Sequence, residues 1–92
     1  MQKVKLFDTH CHLDMVKAKE IAIQRAIGKG VKSFLVPAVH ARNFSLVKKI
    51  AQENKTVFYV LGIHPCFVET SELNDLVALE SEIQRCLGDK KF

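Results

Sequence analysis

The sequence predicts an α/β fold with a parallel sheet, and three observations carry that prediction. Apolar runs of strand length alternate three times with stretches of helical period, the joints between them are short, and glycine or proline stands at several joints. Such alternation is typical of right-handed βαβ units, whose strands pair in parallel. An open doubly wound sheet and a closed barrel both satisfy the pattern. No GxGxxG follows the first strand, which disfavours a dinucleotide-binding fold.

The three predicted strands are the apolar runs at 4–9, 31–36 and 57–63. The second stops at Pro37, because proline cannot donate to a sheet ladder and belongs at a strand end. The third, VFYVLGI, is nearly continuous in apolar residues, which predicts a strand covered on both faces. His64 and the proline after it end that run.

Three helices are expected where apolar residues recur at three and four positions. The first covers 16–29 and is closed by the glycines at its end, and the second covers 43–52. The third begins near Thr70 or Ser71, either of which can cap it, and ends at Gly88. Its predicted buried stripe consists of Leu73, Leu76, Val77, Ile83 and Leu87.

Length and composition bound the class of protein. At 92 residues the chain is one domain at most, over 1–92. Since 48% of the residues are hydrophobic and 26% charged, disorder is disfavoured. The lysines behind the net charge of +4 are scattered along the chain, which predicts a solvated basic surface. No apolar run approaches the roughly 18 residues that a membrane span needs.

The cysteines predict reduced thiols. Cys11, Cys66 and Cys86 are odd in number and widely spaced, and no charged-then-apolar leader of the secretory type stands at Met1. We therefore expect a cytoplasmic protein. A structural zinc site formed by Cys11, Cys66 and two histidines is a weaker alternative, because the CxxC spacing of such sites is absent.

Two histidines that follow the first strand, His10 and His12, have the layout of half a metal site. On a strand their side chains point the same way with Cα atoms roughly 6.5 Å apart, so both rings reach one divalent cation. The alternative is a pair of satisfied polar groups, but the flanking Asp8 and Asp14 favour metal binding, since carboxylates orient or join such ligands. Continued alternation places Val4, Leu6, Asp8, His10 and His12 on one face, and Phe7, Thr9 and Cys11 on the other.

His64 stands where the third strand ends and shares a face with Phe58, Val60 and Gly62. Gly62 leaves room, and the proline that follows His64 holds the backbone extended. We therefore expect the His64 side chain to project at the same end of the sheet as His10 and His12. A histidine hydrogen-bonded to its own loop is the alternative.

Three other polar residues near these strand ends have simpler interpretations. His40 and Arg42 are within reach of an anionic substrate, but the simpler interpretation is that they are polar loop residues. Cys11 faces away from the histidines, which predicts a small buried residue rather than a nucleophile.

Two motifs together identify a family. FDTHCHLD at 7–14 with LGIHP at 61–65 resembles the amino-terminal part of the TatD family of metal-dependent deoxyribonucleases, in the amidohydrolase-like superfamily. VPA at 36–38, followed by Arg-Asn-Phe at 42–44, is similar to the TatD-like bacterial branch. The match runs along the whole chain.

That resemblance implies the first three βα units of a (β/α)8 TIM-type barrel, incomplete in this chain. It implies His10 and His12 as ligands of one or two divalent cations, whether zinc, magnesium or manganese, and His64 as a substrate-binding residue near the scissile phosphate. DNA or another phosphodiester is the implied substrate. The family's remaining ligands, a glutamate, two later histidines and a late aspartate, have no positions here. No catalytic set is therefore complete, and we expect weak metal binding and little or no hydrolysis from this chain alone.

Two alternatives stay open. The same barrel and HxH motif serve amidohydrolases that cleave C–N bonds. The other is a non-catalytic, truncated fragment that self-associates through an exposed sheet edge at the third strand.

Overall fold

The structure, a computed structural model, describes residues 5–92 and is built on a three-stranded parallel sheet. Its strands are β1 (Leu6–Asp8), β2 (Val31–Pro37) and β3 (Val57–Val60), in the order β1-β2-β3. The helices are α1 (Lys19–Gly28), α2 (Phe44–Glu53) and α3 (Leu73–Cys86), and three short 3-10 helices cover Leu13–Met15, Ala41–Asn43 and Pro65–Phe67. The predicted α/β fold with parallel strands is therefore confirmed.

Element boundaries differ most where the chain leaves the sheet. β1 ends at Asp8 and β3 at Val60, so the predicted strands were too long at their carboxyl ends, and predicted Val4 lies outside the described residues. α1 starts late because a 3-10 helix and the extended Val16 precede it. Gly30, with φ of 105°, lies in the left-handed region that turns the chain into β2.

One face of the sheet packs against α1 and α2 and forms the core. Its side chains alternate along the strands with the period of two that a pleated strand imposes. The buried residues include Phe34, Val36, Val57 and Tyr59 from the strands, Ile23 from α1, and Phe44, Val47, Ile50 and Ala51 from α2.

The opposite face of the sheet is open. Phe7, Leu35, Phe58 and Val60 line a cavity of about 320 Å³ there, and the Phe7 and Phe58 rings stack with centroids 6.3 Å apart. The prediction that β3 is covered on both faces is therefore wrong for the described residues. The continuous alternation predicted for β1 also fails, because the pairing register shifts between Leu6 and Phe7.

α3 is capped by residues other than those predicted. Glu72 is the N-cap and forms a reciprocal capping box with Asp75, whose carboxylate accepts from the Glu72 N–H at 2.8 Å. The hydroxyls of Thr70 and Ser71 instead donate to the Phe67 carbonyl oxygen, at 3.1 and 2.7 Å. Both predicted caps are thus occupied in the turn that precedes the helix.

The predicted buried stripe of α3 is also wrong. Leu73, Leu76, Val77 and Leu87 are 76%, 55%, 56% and 65% exposed, and the one α3 residue that is buried is Cys86. The amphipathic period is real, but no element among residues 5–92 lies against most of that face. Periodicity reports which face a helix offers and does not report its partner.

Residues 89–92, at the carboxyl end of the chain, pack against β3. The Tyr59 hydroxyl donates to Asp89 Oδ2 at 2.6 Å, and the Tyr59 N–H donates to the Lys91 carbonyl oxygen at 3.0 Å, so part of the outer edge of β3 is paired within the chain. The Tyr59 hydrogen bond, with one from the Lys91 N–H, lowers the pKa of Asp89. Lys91 Nζ donates to the carbonyl oxygens of Ala51, Asn54 and Lys55 at 3.0, 2.7 and 3.2 Å.

No helix among residues 5–92 combines the length and apolarity required to cross a membrane.

Candidate metal centre

The carboxyl ends of all three strands carry histidines. His10 and His12 follow β1, His40 follows β2 and His64 follows β3. Backbone hydrogen bonds hold these ends together, since the Cys11 N–H donates to the Leu35 carbonyl oxygen at 3.1 Å and the His64 N–H donates to that of Val39 at 2.8 Å. This is the end of a parallel sheet where α/β folds place their chemistry.

The structure brings His10 and His12 into contact. Their ring centroids are 4.9 Å apart and the rings meet edge-on, at 86°. The His10 N–H donates to Asp8 Oδ1 at 3.2 Å, and His10 and Asp8 are both exposed. The two imidazoles therefore lie side by side as predicted, although they stand in the loop after β1 rather than on the strand. Their role as metal ligands stays a prediction.

Two buried polar atoms beside this pair have no hydrogen-bond partner, Nδ1 of His12 and Oδ1 of Asp14. Buried polar atoms are normally satisfied, and an orphan beside imidazoles indicates a group completed by an ion or water. Imidazole nitrogens with carboxylate oxygens are donors that suit zinc and manganese. The residues present thus fit a divalent cation.

The ligand set within the described residues is small. Residues 5–92 hold no group of three or more His, Cys, Asp or Glu side chains arranged to bind a metal ion. The structural zinc site considered for Cys11, Cys66 and two histidines is therefore wrong for this part of the chain. A cation held by His10 and His12 would have two imidazole ligands from these residues, fewer than the three protein ligands usual in a catalytic zinc site.

Cys11 lies between the two histidines but is turned toward the core. Its thiol donates to the Leu35 carbonyl oxygen at 3.6 Å, and all three cysteines are free. Burial, together with the negative charges of Asp8 and Asp14, raises the pKa of Cys11 to about 11. The thiol stays protonated near neutral pH, as a packing residue rather than a nucleophile.

His64 adopts the loop arrangement considered as its alternative, with an exposed ring. Its Nδ1 accepts from the Cys66 N–H at 3.1 Å and caps the helix Pro65–Phe67, and its backbone is extended as expected before proline. No hydrogen bond or ring contact joins it to His10 or His12 among residues 5–92. A Cβ at Gly62 would meet only the Ala38 carbonyl oxygen, at 4.0 Å, so packing does not require glycine there.

His40, at the carboxyl end of β2, was interpreted from the sequence as a simple polar loop residue, but the structure gives it specific contacts. It is buried, its Nδ1 accepts from the Arg42 N–H at 3.3 Å, and its ring meets Phe67 edge-on with centroids 5.8 Å apart. Its position directly before a short helix, like that of His64, was the available signal. Arg42 itself is exposed. His40 therefore ties the loop after β2 to the loop after β3.

Asn43 is a second residue that sequence reasoning missed. Its Nδ2 donates to Asp14 Oδ2 at 3.1 Å. This hydrogen bond joins the segment that follows β1, which contains His10 and His12, to the start of α2. The two residues are 29 positions apart, so no local pattern indicates the contact.

A family model described as TatD-related DNase matches residues 7–91. The chain belongs to the TatD-related DNase family. Its relatives in that group include the uncharacterized metal-dependent hydrolase YjjV of Escherichia coli K12, which is 33% identical over 88% of this chain and 32% of YjjV. The uncharacterized metal-dependent hydrolase BU355 of Buchnera aphidicola is 31% identical over 91% of this chain and 36% of that protein.

The crystal structure of the E. coli TatD homologue YjjV superposes on this chain with a TM-score of 0.82 at 34% identity, over 87% of this chain and 32% of YjjV. The three parallel strands with alternating helices therefore match the amino-terminal part of a TatD-type barrel. The chain spans about a third of the length of the curated relatives it matches.

Proposed function

We propose that this chain supplies part of the active site of a metal-dependent hydrolase that cleaves phosphodiester bonds in DNA. The observation that carries the proposal is the contact between the His10 and His12 rings at the carboxyl end of β1. The family description supports a DNase, and the curated relatives are named metal-dependent hydrolases.

The chain's contribution is to hold a cation in a defined place. Neutral imidazoles bind through an unprotonated ring nitrogen, which His10 and His12 offer side by side. The Cys11 N–H bond to β2 fixes the loop between them, and the buried Leu13 anchors its other end. His10 and His12 would hold a divalent cation there, which would supply Lewis-acid chemistry toward a phosphate and lower the pKa of a bound water.

His64 is proposed as a substrate-binding residue. Because its Nδ1 already accepts from the Cys66 N–H, the neutral ring carries its hydrogen on Nε2. An exposed Nε2–H donates readily to an anionic phosphate oxygen. We therefore propose separate roles: two histidines hold the cation, and the third contacts the substrate.

The chain's three free cysteines support our further proposal of a reducing, cytoplasmic environment.

A substrate panel tests the reaction class. The purified chain is incubated with Zn²⁺, Mg²⁺ or Mn²⁺ and with a DNA oligonucleotide, a small phosphodiester or a cyclic amide. We expect at most slow, cation-dependent cleavage of DNA, which His10→Ala abolishes and Thr9→Ala, at an exposed neighbour, leaves unchanged. Faster turnover of the cyclic amide would identify a C–N hydrolase instead, and equal DNA cleavage by His10→Ala at equal metal loading would remove the assignment.

A further inference from the structure

His12 Nδ1 and Asp14 Oδ1 are the sole buried side-chain nitrogen or oxygen atoms within residues 5–92 that lack a hydrogen-bond partner. They belong to residues two positions apart, on either side of the buried Leu13. Burial of a polar atom without a partner is unfavourable, so two such atoms in one loop call for a shared explanation.

The two atoms are chemically complementary. An imidazole that presents an unprotonated Nε2 to a cation carries its hydrogen on Nδ1, which makes Nδ1 a donor. An ionised carboxylate oxygen only accepts. A ligating histidine commonly donates its second N–H to a carboxylate, which fixes the tautomer and the ring orientation.

Asn43 holds the Asp14 carboxylate in place from the other side. Its Nδ2 donates to Asp14 Oδ2 at 3.1 Å, which leaves Oδ1 as the oxygen without a partner. Asn43 is itself fixed, since its N–H donates to the His40 carbonyl oxygen at 2.9 Å and the next residue, Phe44, is buried in the core. The carboxylate is therefore anchored to the residue that directly precedes α2.

We propose that Asp14 is a positioning residue for His12 and that Asn43 orients its carboxylate. Asp14 Oδ1 accepts the Nδ1 hydrogen of His12 through one bridging water, since the structure holds no direct hydrogen bond between the two atoms, and so keeps Nε2 unprotonated and available to a divalent cation. The role rests on the proposed function, because it concerns the same cation. It adds two residues to the site, one of which comes from a different βα unit.

Zn²⁺ affinity tests the role in the 92-residue chain. Binding is measured by competition with a chromophoric chelator in a Cys66→Ser background, which removes the exposed thiol as a competing ligand. We expect Asp14→Asn to raise the Kd for Zn²⁺ by about 10-fold or more. Asn43→Ala should act in the same direction by a smaller factor, and the double variant should be no weaker than Asp14→Asn alone, because both changes remove one arrangement.

Asp8→Asn is the matched comparison. It removes the same charge from an exposed carboxylate beside the other histidine, and we expect a change in Kd of only a few-fold. An equal loss in Asp8→Asn and Asp14→Asn would show a general electrostatic effect and overturn the positioning role.

The tautomer of His12 gives a readout that needs no metal. Ring ¹⁵N NMR of the metal-free chain should show the Nδ1–H tautomer of His12, and Asp14→Ala should shift the population toward Nε2–H. If Zn²⁺ does not bind but the tautomer depends on Asp14, the positioning role stands and the proposed function fails. If Zn²⁺ binds equally to the parent and Asp14→Asn, and the tautomer is unchanged, the positioning role fails and the proposed function stands.

Discussion

The two faces of the sheet differ in burial although both carry apolar side chains. On the face covered by α1 and α2, Val36, Val57 and Tyr59 are fully buried, whereas on the other face Phe7 is 54% and Val60 37% exposed. The hydrophobic pattern allows either face to be buried. The position of α1 and α2 decides which face is covered. Stability therefore comes from one face, while the other is available for association.

The largest expected effect is a truncation in the covered core. Ile23 and Ile21 lie on the same helix, and their exposed fractions are 2% and 57%. Ile23→Ala removes buried methyl groups and leaves a cavity, so we expect a loss of about 2–5 kcal/mol in the free energy of unfolding. Ile21→Ala should change it by less than about 0.5 kcal/mol. Urea unfolding of both variants measures the contrast, and equal losses would contradict the assignment of the core to one face.

A smaller effect is expected where residues 89–92 close against β3. Tyr59→Phe keeps the buried ring and removes its hydrogen bond to Asp89, which should cost about 1 kcal/mol. Chemical denaturation at pH 7 measures the loss. If the variant is as stable as the parent, that contact does not secure the end of the chain.

The same contact predicts a dependence on pH. The pKa of Asp89 is lowered in the folded state, so its contribution to stability is complete above the unfolded value of about 4 and is lost as the pH falls through the folded pKa. Unfolding curves between pH 6 and pH 2 should show this acid loss in the parent chain. Asp89→Asn should flatten that part of the profile, and an unchanged profile would show that other carboxylates account for it.

The open face gives an effect on association with little effect on stability. Since Phe7, Phe58 and Val60 line a mostly apolar cavity together with Lys91 and Phe92, we expect a second copy of the chain to bind there as concentration rises. Light scattering with size-exclusion chromatography should show a larger mean mass for the parent than for Val60→Lys. Ser45→Lys, which adds the same charge at an exposed residue of α2, is the control, and a monomeric parent at high concentration would contradict the expected association.

The sequence predicted what local patterns encode. β2 and α2 lie within one or two residues of their predicted bounds, because a proline and an unbroken apolar period mark them. The nearness of His10 to His12 followed from their spacing. The exposure of Leu73 on α3 did not, since the pattern does not name a partner.

The contacts that complete the site and close the fold are distant in sequence. Asn43 meets Asp14 across 29 residues, and Lys91 meets the Ala51 carbonyl across 40. Neither contact has a local signal, because each depends on how the βα units stack. The nearness of His10 and His12 was therefore predictable, whereas the contact of Asn43 with Asp14 required the structure.

Zn²⁺ binding to the parent chain and to His10→Ala and His12→Ala, all in the Cys66→Ser background, tests the central claim most directly. The account predicts weak binding of one cation per chain, lost in either histidine variant and retained in Thr9→Ala. Equal affinity in the parent and both histidine variants would contradict the metal centre at the end of β1.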